Sequence, residues 1–419
     1  MKTIWKVVII MIVAGLILSL LGMFLGASRW VYWDKSGSHI VARSEEKRIT
    51  RFDLEQIDNI DINAKFADVE FITSDQYGID IRYYDEDVSW TLDDGNLKIA
   101  FSIQAGNRYF HDRYFDINLS FDYPQNYIKV YLPADVRLGA VSVQTDAGDM
   151  KIGDFRAGEV RINNSFGNLA LYSITCDTLQ IKLNSGDFTG KDLSVSGDIE
   201  YKSTFGASKF ETIDARNFRL DSDSGDVAVK GCHVEGFDIN NTFGNLDAYS
   251  ITCDELQIKI DSCEFSGKDL SVSGDIVYRN KFGASKFETI DAKNLVIDSD
   301  SGDVTVNGCQ VESIDIKNNF GDITANNLVS SQTDIDANSA EINISGEFSG
   351  QTIINNKFGN IRFTTAIAKE NYTYDIYTDF GDVIFDNNRR NGGIQGGNSS
   401  GNGLYITNAN GDIQVNFSR

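Results

Sequence analysis

The hexapeptide Asp221-Ser222-Asp223-Ser224-Gly225-Asp226 recurs letter for letter at 298–303, and carboxylates at alternating positions are what a hard divalent cation needs. An alternation that turns Ser222 and Ser224 inward turns Asp221 and Asp223 outward, where they could share a calcium ion with Asp226. Asp298, Asp300 and Asp303 repeat the set. The spacing matches neither the EF-hand loop nor the glycine-rich nonapeptide of calcium-binding β-rolls, so calcium is a weak candidate beside solvated turn carboxylates. Carboxylates also work in pairs as general acid and base, and Asp149, Asp187, Asp226, Asp303 and Asp322 occupy equivalent positions. A row of equivalent carboxylates, however, describes a surface more than a catalytic centre. Histidine is confined to His39, His111 and His233 in three unrelated contexts, from which no Ser–His–Asp or Cys–His set can be assembled. The chain reads as no enzyme, with no cofactor beyond that calcium candidate.

A second cluster is Arg108, Tyr109, Phe110, Arg113, Tyr114 and Phe115, a basic and aromatic insert in an acidic chain. Packing within a cap is its plain explanation. A binding patch for a protein, glycan or lipid headgroup is the sharper one, since Tyr and Arg favour hot spots. The five cysteines follow the repeat: Cys176 and Cys253 are 77 residues apart, as are Cys232 and Cys309. Repeat mates lie too far apart for a disulfide, and an odd total without a C-x-x-C pair opposes a zinc or disulfide framework. They read as buried small hydrophobes.

The elements that carry these residues are legible from one period. From Ala147 to Phe358 the register apolar-x-apolar-x-small-x-(Phe or Ser)-Gly-(Asp, Asn or Ala) returns about every 19 residues. A fixed short period marks a stack in which each unit buries its apolar face against its neighbours. The expected fold is all-β, a parallel β-solenoid (β-helix) of about 19-residue, two-strand coils, with its handedness open. Residues 165–241 and 242–318 align without gaps and are identical at 54 of 77 positions, a duplication of four coils. No proline follows Pro133, which suits unbroken strand pairing.

One column alternates large and small: Ala147, Phe166, Ser185, Phe205, Ser224, Phe243, Ser262, Phe282, Ser301, Phe320, Ser339, Phe358. Period-two alternation predicts that it points inward, each ring resting over a serine of the next coil in a filled interior. Two positions earlier stand small polar residues such as Asn164, Ser203, Asn241 and Asn318, placed to bond backbone groups freed at the bend.

The ends differ from the repeat. Val7 to Gly26 carries no charge and as a helix would span about 30 Å, the thickness of the hydrocarbon core. Trp5 before it and Trp30, Tyr32 and Trp33 after it read as interfacial anchors. Residues 1–33 are therefore expected to be a transmembrane signal-anchor, uncleaved because its apolar run exceeds that of a signal peptide. Residues 34–52 read as a linker, 53–140 as an N-terminal β cap holding the aromatic insert, and 141–419 as the solenoid, with a Gly/Asn/Ser-rich flexible loop at 387–403. The net charge of −23 excludes nucleic acid as a partner, since nothing would release phosphate counterions.

Val130-Tyr131-Leu132-Pro133, followed by Leu138-x-x-Val141-x-Val143-x-Thr145-x-x-Gly148-Asp149, resembles a bacterial family of β-strand-repeat putative adhesins of unknown function. The Ser-Gly-Asp corners and the closing Asn410-Gly411-Asp412-Ile413 are similar too, so the likeness spans roughly 55–419. It implies an exported envelope protein and supplies no catalytic residues; some relatives are associated with envelope-stress signalling. The resulting expectation is a single-pass protein of the bacterial cell membrane with an extracytoplasmic β-solenoid. It would touch the bilayer through the N-terminal helix and act as an adhesin-like binding surface for a cell-envelope component, cationic peptide or protein. The alternative is a structural or stress-response scaffold that self-associates or senses cationic peptides.

Overall fold

A computed structural model describes residues 30–34, 37–41, 46–84, 86–103, 115–118, 125–398 and 401–417. Most of the expected membrane segment, residues 1–29, and most of the Arg/aromatic insert, residues 104–114, lie outside them. Among the described residues no helix is long and apolar enough to cross a membrane. Nor is there an α-helix; one 3-10 turn, Lys369–Asn371, interrupts the strands.

The strands form a parallel stack. Met150–Phe166 pairs in parallel with Leu169–Ser185, that strand with Phe188–Phe205, and so on coil by coil. Bonds such as Met150 N–H to Asn168 O (2.8 Å) and Leu169 N–H to Asp187 O (2.9 Å) join one coil to the next. Side-chain alternation explains why the coil closes. In Leu169–Ser185 the buried residues are Leu169 and Leu171, then Ile174 and Cys176, then Leu179, Ile181 and Leu183. Each coil therefore has three inward runs, not the expected two strands. The extra corner falls at Ser173 (φ 51°) and at its equivalents, among them Asp154, Asp192, Ser250, Asp269 and Asn327, all left-handed. Short polar side chains tolerate this conformation, and Gly231 and Gly308 take the place in two coils, so no regular glycine or proline advertises the bend. Coils of 20 residues absorb the extra one as a bulge between Val195 and Asp198 and again between Val272 and Asp275.

The interior is aromatic as well as aliphatic. Phe188, Tyr201, Phe210, Phe218 and Phe237 form a chain of ring contacts with centroids 4.7 to 5.0 Å apart. The Tyr201 hydroxyl meets Ser208 Oγ at 2.6 Å, which pairs a buried polar tip inside the core. All five cysteines are buried free thiols. Burial pushes Cys176 and Cys253 up to about 12 and Cys309 up to about 11, so these thiols are unreactive at neutral pH.

At the N-terminal end Asn59–Ser74 is a complete rung. It pairs in parallel with Arg137–Ala147 on one side and with Asn96–Ile103 and Asn126–Pro133 on the other. Two expectations change here. Trp30–Asp34 is a strand paired antiparallel with Gly37–Val41 and Phe115–Asn118, so the segment holding Trp30, Tyr32 and Trp33 is extended. Lys47–Arg51 is also a strand, antiparallel to Gly78–Tyr83, so the folded part begins inside the expected 34–52 linker. Asp80 explains that docking. It is buried at 4% exposure and takes Arg48 Nε at 2.8 Å, Arg48 Nη2 at 2.7 Å, Thr50 Oγ1 at 3.0 Å and the Tyr127 hydroxyl at 3.1 Å. The Arg48 guanidinium holds the Asp80 carboxyl below the usual carboxylate range. A depressed pKa stabilises the fold above the unfolded value and loses that contribution as pH falls through the folded one. Asp80→Asn is therefore expected to unfold this end more readily at pH 7, with the gap to wild type closing below about pH 4. Hydrogen exchange of Lys47–Arg51 and Gly78–Tyr83 against pH checks it.

At the C-terminal end the chain does not stack in chain order. Asn402–Asn410 pairs in parallel with Ile342–Phe358 on one side and with Tyr372–Phe385 on the other. The later strand thus lies between two earlier ones, and Tyr372–Phe385 is the outer rung. The expected flexible loop at 387–403 is mostly ordered strand: Asn388–Gly397 folds back antiparallel on Tyr372–Phe385. Positive φ at Asp386 (48°) and Asn387 (63°) makes the tight turn of a hairpin.

Candidate binding surface

The Gly corner decides which way the alternating column points. In the coil of Phe166, Val160, Ile162 and Asn164 face inward as expected. Asn164 Nδ2 donates to Gly148 O and to Gly167 O, both at 3.1 Å, closing the bend from inside. Asn318 does the same to Gly302 O (3.2 Å) and Gly321 O (2.9 Å). Pairing then skips the corner: Asn164 pairs with Leu183 and Phe166 with Ser185 at one unchanged offset, while Ser165 and Asn184 between them are both left over. That corner residue breaks the period of two. Phe166 and its equivalents face solvent, and the expected filled interior of rings over serines is not what the column builds.

Phe66, Phe166, Phe205, Phe243, Phe282, Phe320, Phe358 and Phe380 are 51% to 74% exposed. Ordered by strand pairing rather than by chain position, the column runs Phe66, Ala147, Phe166, Ser185, Phe205, Ser224, Phe243, Ser262, Phe282, Ser301, Phe320, Ser339, Phe358, Asn410, Phe380. Large and small alternate without a break. The alternation survives both interruptions of chain order, the 80 residues between Phe66 and Ala147 and the interposed Asn402–Asn410. In chain order Phe358 and Phe380 would be successive corners; in space Asn410 separates them. Parallel rungs lie about 4.8 Å apart, so the rings are about 9.6 Å apart along one edge. Each ring, half to three-quarters exposed, forgoes roughly 1–2 kcal/mol of burial. Core packing cannot account for a row that stays out of the core.

The rows beside the rings are polar. After most corners, those before Ala207 and Ala284 excepted, a side-chain oxygen caps the next coil: Asp149 Oδ1 accepts from Asn168 N–H at 2.7 Å, Asn168 Oδ1 from Asp187 N–H at 2.9 Å, and Asp303 Oδ1 from Asp322 N–H at 2.9 Å. The pattern follows space at the far end too, where Asp412 N–H donates to Asn360 Oδ1 and Asp382 N–H to Asp412 Oδ1, each at 2.8 Å. These carboxylates, which sequence offered as acid/base pairs, hold successive coils together.

The pattern of the Toastrack DUF4097 family matches residues 57–280 and 251–416. The chain belongs to that family. Among solved structures, a "putative adhesin" from Bacteroides fragilis is 15% identical, with 71% of this chain and 100% of that chain covered and a TM-score of 0.25. A "putative cell adhesion protein" from Clostridium sporogenes is 8% identical, with 89% and 100% covered and a TM-score of 0.17. A "putative adhesin" from Parabacteroides distasonis is 11% identical, with 88% and 97% covered and a TM-score of 0.15. No curated protein matches.

In this Toastrack chain four of the six calcium candidates, Asp221, Asp226, Asp300 and Asp303, are bonded to neighbouring coils. Asp221 takes Arg219 Nε on Oδ2 at 3.1 Å and Asn240 Nδ2 on Oδ1 at 2.9 Å. Asp226 Oδ1 caps Asn245 N–H at 2.8 Å, and Asp300 Oδ1 accepts from Asn319 Nδ2 at 3.0 Å. Among the described residues no three His, Cys, Asp or Glu side chains converge to hold a metal ion. Of the insert, Arg108, Tyr109, Phe110, Arg113 and Tyr114 lie outside the described residues; Phe115 begins the strand opposite Trp33. A depression of about 370 Å³ includes Arg161, Lys182, Lys202 and Arg219 with Glu200 and Asp221 in its lining, mixed in charge and open to solvent. The Asp80 network escaped sequence reading because its members are scattered over residues 48 to 127 with no shared spacing.

Proposed function

We propose that this Toastrack chain is a non-catalytic, adhesin-like binding protein whose working surface is the phenylalanine edge. The reading places the solenoid outside the bacterial cell membrane, held there by the uncharged Val7–Gly26 stretch. One observation supports it above the rest: the large–small alternation is exposed and follows spatial order where chain order departs from it. A solvent-facing apolar row of this extent marks an interaction site. The carboxylate rims support a second reading, a stress-response scaffold that senses cationic peptides; that binding would fall steeply with salt, whereas ring-mediated binding would not.

The test uses the purified full-length chain and envelope fragments of the producing bacterium. Replacing Phe205, Phe243, Phe282 and Phe320 by Ser removes four anchors worth about 1 kcal/mol each, so retention should fall more than tenfold with an unchanged melting temperature. Undiminished retention would rule the edge out as the working surface.

A further inference from the structure

We propose that the phenylalanine edge is a stacking platform for an extended, uncharged β-1,4-linked N-acetylhexosamine polymer, a chitin-type chain. This deepens the binding reading above and rests on it. In an extended β-1,4-linked chain each sugar is flipped relative to the last, so every second ring presents the same C–H face. The platform has the same two-step logic: a ring on every second rung, about 9.6 Å apart, and a small residue such as Ser185, Ser262, Ser301 or Ser339 between. The two-sugar repeat is only slightly longer than the ring spacing, so over a run of a few successive rings each phenylalanine meets a like-facing sugar while the flipped sugar passes over a serine. The negative face of an aromatic ring attracts the positively polarised C–H hydrogens of a pyranose.

Length and charge narrow the occupant further. Eight rings on fifteen rungs extend about 67 Å, which suits a polymer rather than a compact ligand. The rims are rich in acceptors, including Asp149, Asp187, Asp226, Asp303 and Asp322 after the corner, which suit sugar hydroxyl and acetamide N–H donors. The same carboxylates repel an anionic polymer or an anionic bilayer. They oppose a second copy of this chain as well, because pairing edge to edge would bring like-charged rims together.

The decisive variant is the double swap Phe243→Ser with Ser262→Phe, which keeps ring count and composition but moves one ring by one rung. With the purified full-length chain, co-sedimentation with insoluble chitin should be strong for wild type. It should fall at least fivefold for the swap, more than tenfold for the four-fold Phe→Ser variant, and not at all for Val329→Ser, an exposed apolar residue off the row. Starch, whose α-linkage removes the flipped ribbon, should not bind. Wild-type binding by the swap, at an unchanged melting temperature, overturns the proposal. So does capture by phosphatidylglycerol vesicles, or ring-dependent dimerisation in sedimentation velocity, without capture by chitin. Envelope binding that needs the rings while chitin is ignored overturns the glycan and leaves the binding edge standing; envelope binding indifferent to the rings removes both.

Discussion

Phe210→Ala should lower the unfolding free energy by about 4 kcal/mol, while Phe243→Ala should leave it within about 0.5 kcal/mol of wild type. Both positions are phenylalanines in strands of the same stack, and they differ in which side of the chain they face. Phe210 is 1% exposed and contacts Phe188, Tyr201 and Phe218 at centroid distances of 4.9, 5.0 and 5.0 Å. Removing its ring opens a cavity that a rigid ladder on either side cannot collapse. Phe243 is 54% exposed. Because a solenoid unfolds through nearest-neighbour terms, amide exchange across Phe188–Phe243 should accompany the melting curve. Equal losses for the two variants would return the column to the core.

Gly302→Ala should be nearly as damaging, costing about 3 kcal/mol, and Gly308→Asn almost harmless. At Gly302 φ is +133°, and an added Cβ would stand 2.1 Å from Gly283 O and 2.5 Å from its carbonyl carbon. Neither atom can withdraw, since both belong to the adjoining rung. At Gly308 φ is +62° with nothing within 4 Å of the same Cβ, and the equivalent residue one coil on is Asn327 at φ 53°. The first glycine is required by close approach of two backbones, the second only by a conformation asparagine also adopts. Thermal unfolding of both variants decides whether the corner is that tight.

The coil period, the parallel stack and the duplication were legible because they rest on inward residues such as Ile162 and Leu171, whose alternation is regular. The polar column was legible for the same reason, and Asn164 and Asn318 bond the bend as expected. The direction of the phenylalanines was not. It turns on the corner residue, Ser165 and its equivalent Asn184, which leaves no mark in the letters, and the residue past such a corner changes face. The third inward run was hidden because its corner is made by Ser173 and Asp192, whose αL conformation is invisible in composition. The far end misled for a topological reason. Leu404, Ile406 and Asn408 carry the right pattern, but no local pattern states which rungs a strand will join.

That insertion of Asn402–Asn410 between Ile342–Phe358 and Tyr372–Phe385 has a consequence for biogenesis. Both flanking strands are translated before the segment that separates them, so each must wait with one side of its ladder unsatisfied. Until 402–417 arrives, the nascent protein displays two open parallel edges, the kind that recruit foreign strands. Their closure waits on residues 402–417, and a product terminated before them would stay adhesive toward its own kind.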